Sequence, residues 1–156
     1  MTNISTDEDY GLWLLLAQAR DALYKARKKE LNKYDISPRQ SAALFIIQAI
    51  GAHTTAAEIA RYLFRETNST YELLLRMEKE KLIKGAKIKN NKKQVSYKLT
   101  QKGLRAYNHS QERKAIREII SCLTKEEREQ LKSSLKKLRD TALRTLAIRE
   151  LAFPQL

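Results

Sequence analysis

A change of hydrophobic period midway along the chain limits its possible folds more than any other feature. From Thr54 to Lys81 apolar residues recur at helical spacing, and from Lys84 they recur at every second residue. "TAAE", Thr55 to Glu58, is a capping box: the threonine accepts from a free helical N–H and the glutamate reaches back. It opens a short helix with Ile59, Ala60, Leu63 and Phe64 expected inward. After a tight break, a second helix is predicted over 66–81, with Thr70, Leu73, Leu74 and Met77 on one stripe. Asn68, Glu72, Leu75 and Lys79 then point the opposite way, flanked by Tyr71 and Arg76. In "KGAKIK" and "QVSYKLT" the apolar Ala86, Ile88, Val95, Tyr97 and Leu99 alternate with polar residues, the period of strands. "NNKK" between them is the predicted hairpin tip, because asparagine tolerates positive φ.

The flanks are helical. Leu12, Leu15, Leu16, Ala19, Ala22, Leu23 and Ala26 mark an amphipathic helix over about 9–33. In "ISPRQ", Ser37 is the N-cap and Pro38 the first residue of a helix that is apolar nearly all round and stops at Gly51. Beyond the hairpin, one helix is expected from Thr100 to about Ser121. Another opens at the capping box "TKEE", Thr124 to Glu127, and carries Leu131, Leu135, Leu138, Ala142 and Leu146. No repeat or linker divides the chain, so residues 1–156 read as one domain that is mainly α with a small β-hairpin.

Charge narrows the function. The chain is 42% hydrophobic and 31% charged, a balance that suits a folded helical protein. Its net charge of +13 favours polyanions, either nucleic acid or an anionic membrane surface. Between Lys84 and Arg105 there are eight Lys or Arg and no Asp or Glu. The longest apolar run, Leu12 to Ala17, is too short for a membrane span, and the acidic Asp7, Glu8 and Asp9 argue against a signal peptide. No membrane association and a cytoplasmic location are therefore expected. Cys122 is the one cysteine, and its place after Ile119 and Ile120 suggests a packed thiol. His53 and His109 make no metal spacing, and no nucleophile–base set or phosphate loop is present. Neither an enzyme, a metal site nor a cofactor is expected.

Helix, break, helix and two-stranded hairpin form the outline of a winged helix-turn-helix. The second helix of such a pair enters the major groove, and a lysine-rich hairpin follows the backbone or minor groove. The residues go further. "RMEKEKLI" (Arg76 to Ile83), the basic hairpin and "LTQKG" (Leu99 to Gly103) closely resemble the MarR family of bacterial transcription regulators. That family's pattern is roughly R-L-E-x-x-G-L-V, a wing with D-x-R, then L-T-x-x-G. The resemblance spans about residues 36–104, and the flanking helices match the family's dimerisation elements in order. It implies a DNA-binding lobe over 36–103 between dimerisation helices at 9–33 and 104–151. Lys81 stands where the family usually has glycine, Asn91-Lys92-Lys93 replaces D-x-R, and Glu72 sits where arginine is common.

The groove-facing candidates are Thr67, Asn68, Ser69, Tyr71, Glu72 and Arg76. Asn68 suits adenine, and Arg76 suits guanine or a phosphate. Glu72 has two readings. It accepts a hydrogen bond from a cytosine amino group, or it closes a capping box with Ser69 in "STYE". Leu75 could touch a thymine methyl or pack on a neighbouring helix. On the wing, Lys87, Lys89, Asn91, Lys92 and Lys93 are backbone candidates over 84–98, with Arg39 and Arg61 beside them.

The expected function is that of a sequence-specific, double-stranded-DNA-binding regulator acting as a homodimer on a palindromic site, in most such families a repressor. The alternative is a less specific architectural or RNA-associated binder. The resemblance also implies a small aromatic effector between the dimer helices and the DNA lobe, for which Trp13, Tyr24 and Tyr62 are candidates.

Overall fold

A computed structural model of the chain describes residues 7–148, without the side chain of Lys92. Seven helices and one hairpin follow in the order α1 (Glu8–Leu31), α2 (Pro38–Ile50), α3 (Ala56–Leu63), α4 (Thr67–Lys79), β1 (Ile83–Ile88), β2 (Asn91–Leu99), α5 (Gln101–Ser110), α6 (Lys114–Ile120) and α7 (Lys125–Thr145). A short 3-10 turn, Asn32–Tyr34, joins α1 to α2. Residues 149–151 of the expected C-terminal dimerisation segment lie outside the described residues.

The caps read from sequence form as expected. Ser37 accepts from the Gln40 N–H with Pro38 at the helix start, and Thr55 and Thr124 make reciprocal capping boxes with Glu58 and Glu127. Each satisfies N–H groups that a helix start leaves free. Gly51 ends α2 at φ 78, a conformation that costs a glycine little.

The core lies in the middle of the chain. Leu31, Leu44, Ile59, Leu74 and Met77 are completely buried there. α2 is its centre, and β1 and β2 close it from the side through Ile83 and Tyr97. The hairpin is antiparallel, pairing Ile83 with Leu99 and Lys87 with Val95, and then slips so that Ile88 faces Asn91. The segment before α3 adds a third edge: the Tyr97 N–H donates to the Thr54 carbonyl at 2.9 Å.

Five local expectations are corrected. The hairpin tip is Lys89–Asn90, one residue earlier than "NNKK", and neither Asn90 nor Asn91 has positive φ. The register slip absorbs the extra residues on β2 instead. Phe64 points outward, 57% exposed, because it sits at φ 53 as the left-handed residue that ends α3. The segment expected as one helix from Thr100 to Ser121 breaks between α5 and α6, where Arg113 has φ 47. Cys122 is exposed, since it lies in the turn before α7 rather than on a packed face. Ser69 is not an N-cap: α4 begins at Thr67 on Glu66, so Ser69 and Glu72 both lie inside the helix.

The motif residues around Lys81 turn out to be structural. Lys81 has φ 60. The Leu82 N–H donates to Met77 and the Lys81 N–H to Glu78, each at 2.9 Å. That pair of bonds is the Schellman ending of a helix, which wants glycine at the left-handed position. Lys81→Gly is expected to raise stability by about 0.5–1 kcal/mol net, the left-handed strain of about 1–2 kcal/mol less the extra freedom glycine gains when unfolded. A thermal melt should rise by roughly 1–4 °C; a lower midpoint would mean that Lys81 makes a compensating contact.

Candidate nucleic-acid interface

α3 and α4 form the helix pair, and the turn between them has a defined origin. The Arg65 N–H donates to the Ala60 carbonyl at 2.9 Å and the Phe64 N–H to Arg61 at 3.2 Å, a second Schellman ending. The chain re-enters a helix at Thr67. α4 buries Thr70, Leu74 and Met77, and this leaves Thr67, Asn68, Ser69, Tyr71, Glu72, Leu75 and Arg76 exposed. The structure therefore gathers every α4 candidate on the uncovered side of one helix. Leu75 is uncovered as well, 48% exposed.

The wing stands next to this helix. β1 packs against α4, and the carboxylate of Glu78 lies beside Gly85. Burial, with the charge of Glu78 and the nearby Tyr71 adding, pushes the Tyr97 hydroxyl above its ordinary pKa. Lys87, Lys89 and Lys93 are exposed on the wing. Asn91 is exposed too, and its side-chain oxygen accepts from the Lys93 N–H at 3.2 Å, so it shapes the turn. The side chain of Lys92 lies outside the described residues.

The wing is locked to α4 by the "LTQKG" motif. The Thr100 hydroxyl donates to the Lys81 carbonyl at 2.6 Å and accepts from the Gly103 N–H at 3.0 Å. The Thr100 N–H donates to Leu82 at 3.1 Å, and Lys102 Nζ donates to the Glu80 carbonyl at 2.8 Å. The free carbonyls at the end of α4 thus find donors at the start of α5.

Along the exposed face of α4 runs a cleft of about 460 Å³ bounded by α1, α2 and the end of α3, with Ser69, Glu72 and Arg76 on its α4 wall. Arg20, Arg39, Arg65 and Arg76 line it, with Tyr24 on one wall. The Thr70 side chain also lines it; its hydroxyl is buried and has no hydrogen-bond partner among the described residues. Of the three aromatic effector candidates, the structure brings only Tyr24 to this cleft. Trp13 stacks on Tyr10 at 5.7 Å on the exposed part of α1, and Tyr62 lies under the Arg61 guanidinium. Arg20 and Arg65 were not legible as site residues. Arg65 directly before α4 was the one available signal.

A second group missed from sequence joins the lobe to the terminal helices. Arg27 Nη1 donates to Glu30 at 2.7 Å, and their side chains are only 11% and 10% exposed. Arg27 Nη2 donates to the Ser110 carbonyl at 2.7 Å and to the Ser41 hydroxyl at 3.3 Å. Glu30 accepts from the Lys114 N–H at 2.6 Å and the Ala115 N–H at 3.3 Å. Burial alone would raise the Glu30 pKa, but the Arg27 and backbone hydrogen bonds and the Arg27 charge outweigh it, and the net shift is downward.

No family model matches the chain, and no curated protein matches it. Solved structures do. The organohalide-sensing regulator RdhR in its 2,4-dichlorophenol-bound form is 23% identical, with TM-score 0.85 and coverage of 100% of this chain and 99% of that one. A mutant of E. coli MarR with operator DNA is 22% identical, with TM-score 0.78 over 84% of this chain and 95% of that one. A MarR-family regulator from Rhodococcus is 14% identical, with TM-score 0.75 over 86% and 96%. At these identities the likeness is one of architecture: the chain has the winged-helix fold of the MarR-family transcriptional regulators.

Proposed function

We propose that the protein is a homodimeric, sequence-specific regulator that binds double-stranded DNA. The observation that carries this reading is the uncovered row Asn68, Glu72 and Arg76 on α4 beside a wing without acidic residues. The row offers hydrogen-bonding groups to base edges, and the wing offers cations to phosphates. The homodimer rests on unspent apolar surface. Leu12, Trp13 and Leu15 on α1 and Leu131, Leu135 and Leu138 on α7 are all exposed. A two-fold dimer through these helices sets two recognition helices about one DNA turn apart, roughly 34 Å, and calls for a palindromic site.

The arginine-lined cleft suits a small aromatic anion, with Tyr24 against the ring and the guanidinium groups around the charge. Such a ligand regulates only if it binds the DNA-incompetent geometry more tightly. Repression is the mode favoured by analogy with regulators of this fold.

Binding to a selected operator and to random duplex, measured over a range of salt, tests the reading. A regulator should prefer the operator by roughly a thousandfold or more. A ratio near one would make the protein an architectural binder. Lys87→Ala with Lys93→Ala should flatten the log–log salt slope by up to about two; an unchanged slope would take the wing out of the interface.

A further inference from the structure

We infer that Glu72 is a specificity-determining residue of α4, and that its carboxylate accepts a hydrogen bond from the amino group of a cytosine in the major groove. This rests on the reading of α4 as the recognition helix and deepens it. The competing role, a capping box with Ser69, is excluded by the helix start: α4 is already helical at Thr67, and its N-cap is Glu66. Glu72 is exposed. Arg76 follows it one turn along α4, and Arg20, Arg39 and Arg65 face the same cleft from α1, α2 and the turn before α4. Among the described residues no ion pair ties Glu72 to any of them.

A bare carboxylate on a surface that meets phosphates is repelled, so a useful one must accept a hydrogen bond on arrival. The donors on base edges in the major groove are the amino groups of cytosine and adenine. Adenine sets its N7 acceptor beside that amino group, where it repels the second carboxylate oxygen; cytosine has no such neighbour. Asn68 and Arg76 stand four residues before and after, about 6 Å of helix rise. That is between one and two base-pair steps of 3.4 Å. Each half-site should therefore carry a fixed C·G pair flanked within two steps by the pairs that Asn68 and Arg76 address.

Parallel selection from a random duplex library with the wild type and Glu72→Gln tests this, followed by anisotropy titrations of single-pair variants. The glutamine keeps the shape, removes the charge and pairs with adenine through its amide. The wild type should select an inverted repeat with one C·G pair per half-site whose replacement by T·A weakens binding roughly 5- to 150-fold. In Glu72→Gln that preference should vanish or turn to A·T while all other positions stay the same. An identical preference in both proteins overturns the role of Glu72 and leaves the regulator reading intact. A wild type that enriches no sequence overturns the regulator reading, and this assignment with it.

Discussion

Gly103→Ala is expected to cost about 3 kcal/mol of folding stability, near the top of the range for overpacking a tight contact. A Cβ built on Gly103 overlaps the Leu82 carbonyl oxygen. That oxygen cannot move aside, because it accepts from the Thr100 N–H at 3.1 Å in the turn that ends α4. To admit the methyl group, α5 must slide away from Leu82. The Thr100 hydroxyl then loses its bond to Lys81, and Gly103 loses its cap. The wing hangs on the same turn, so under the proposed function the affinity for DNA should fall together with stability. Urea unfolding of Gly103→Ala beside the exposed neighbour Gln101→Ala checks this. A loss below about 0.5 kcal/mol, the usual size of a surface change, would show that the contact is slack.

Arg27→Met should cost about 3–5 kcal/mol at pH 7, the range for leaving one member of a buried ion pair alone. The methionine keeps the length of the stem and removes every bond to Glu30, Ser41 and Ser110. Glu30 then stays buried with only the Lys114 and Ala115 N–H groups to hold its charge. The pH dependence identifies the cause. In the wild type the folded pKa of Glu30 lies below its ordinary 4.5. Its contribution is therefore fully present above that value and is lost as pH falls through the folded pKa. In the variant the Arg27 bond and charge that lower the Glu30 pKa are gone while its burial remains, so the folded pKa rises from its wild-type value and protonation at low pH should relieve part of the penalty. Denaturation midpoints at pH 7 and pH 4 read this directly. An equal loss at both would mean that lost packing, and not an orphaned carboxylate, destabilises the variant.

The false capping box shows where local pattern stops being informative. Ser37, Thr55, Ser69 and Thr124 are each followed three residues later by Gln or Glu, and the structure uses three of these pairs as caps. The fourth is decided upstream. The left-handed Phe64 turns the chain so sharply that it is helical again by Thr67, and Ser69 never adopts the extended backbone a cap needs. The same turn explains why Phe64 faces solvent although it reads as the next residue of an inward stripe.

What the sequence determined alone was whatever depends on neighbours a few residues apart. The true caps, the stripe of Thr70, Leu74 and Met77, and the switch to alternating Ala86, Ile88, Val95 and Tyr97 are consequences of helix and strand periodicity, and they suffice for a winged helix-turn-helix. The tertiary structure decided what depends on distant partners or unusual backbone. Gly103 matters because Leu82 lies against it, and Arg27 because Ser110, eighty-three positions away, accepts from it. Lys81 and Phe64 hold conformations that their side chains disfavour, which only the packing around two helix ends can impose. The arginine cleft likewise assembles residues from four separate segments, and no spacing rule along the chain could have brought them together.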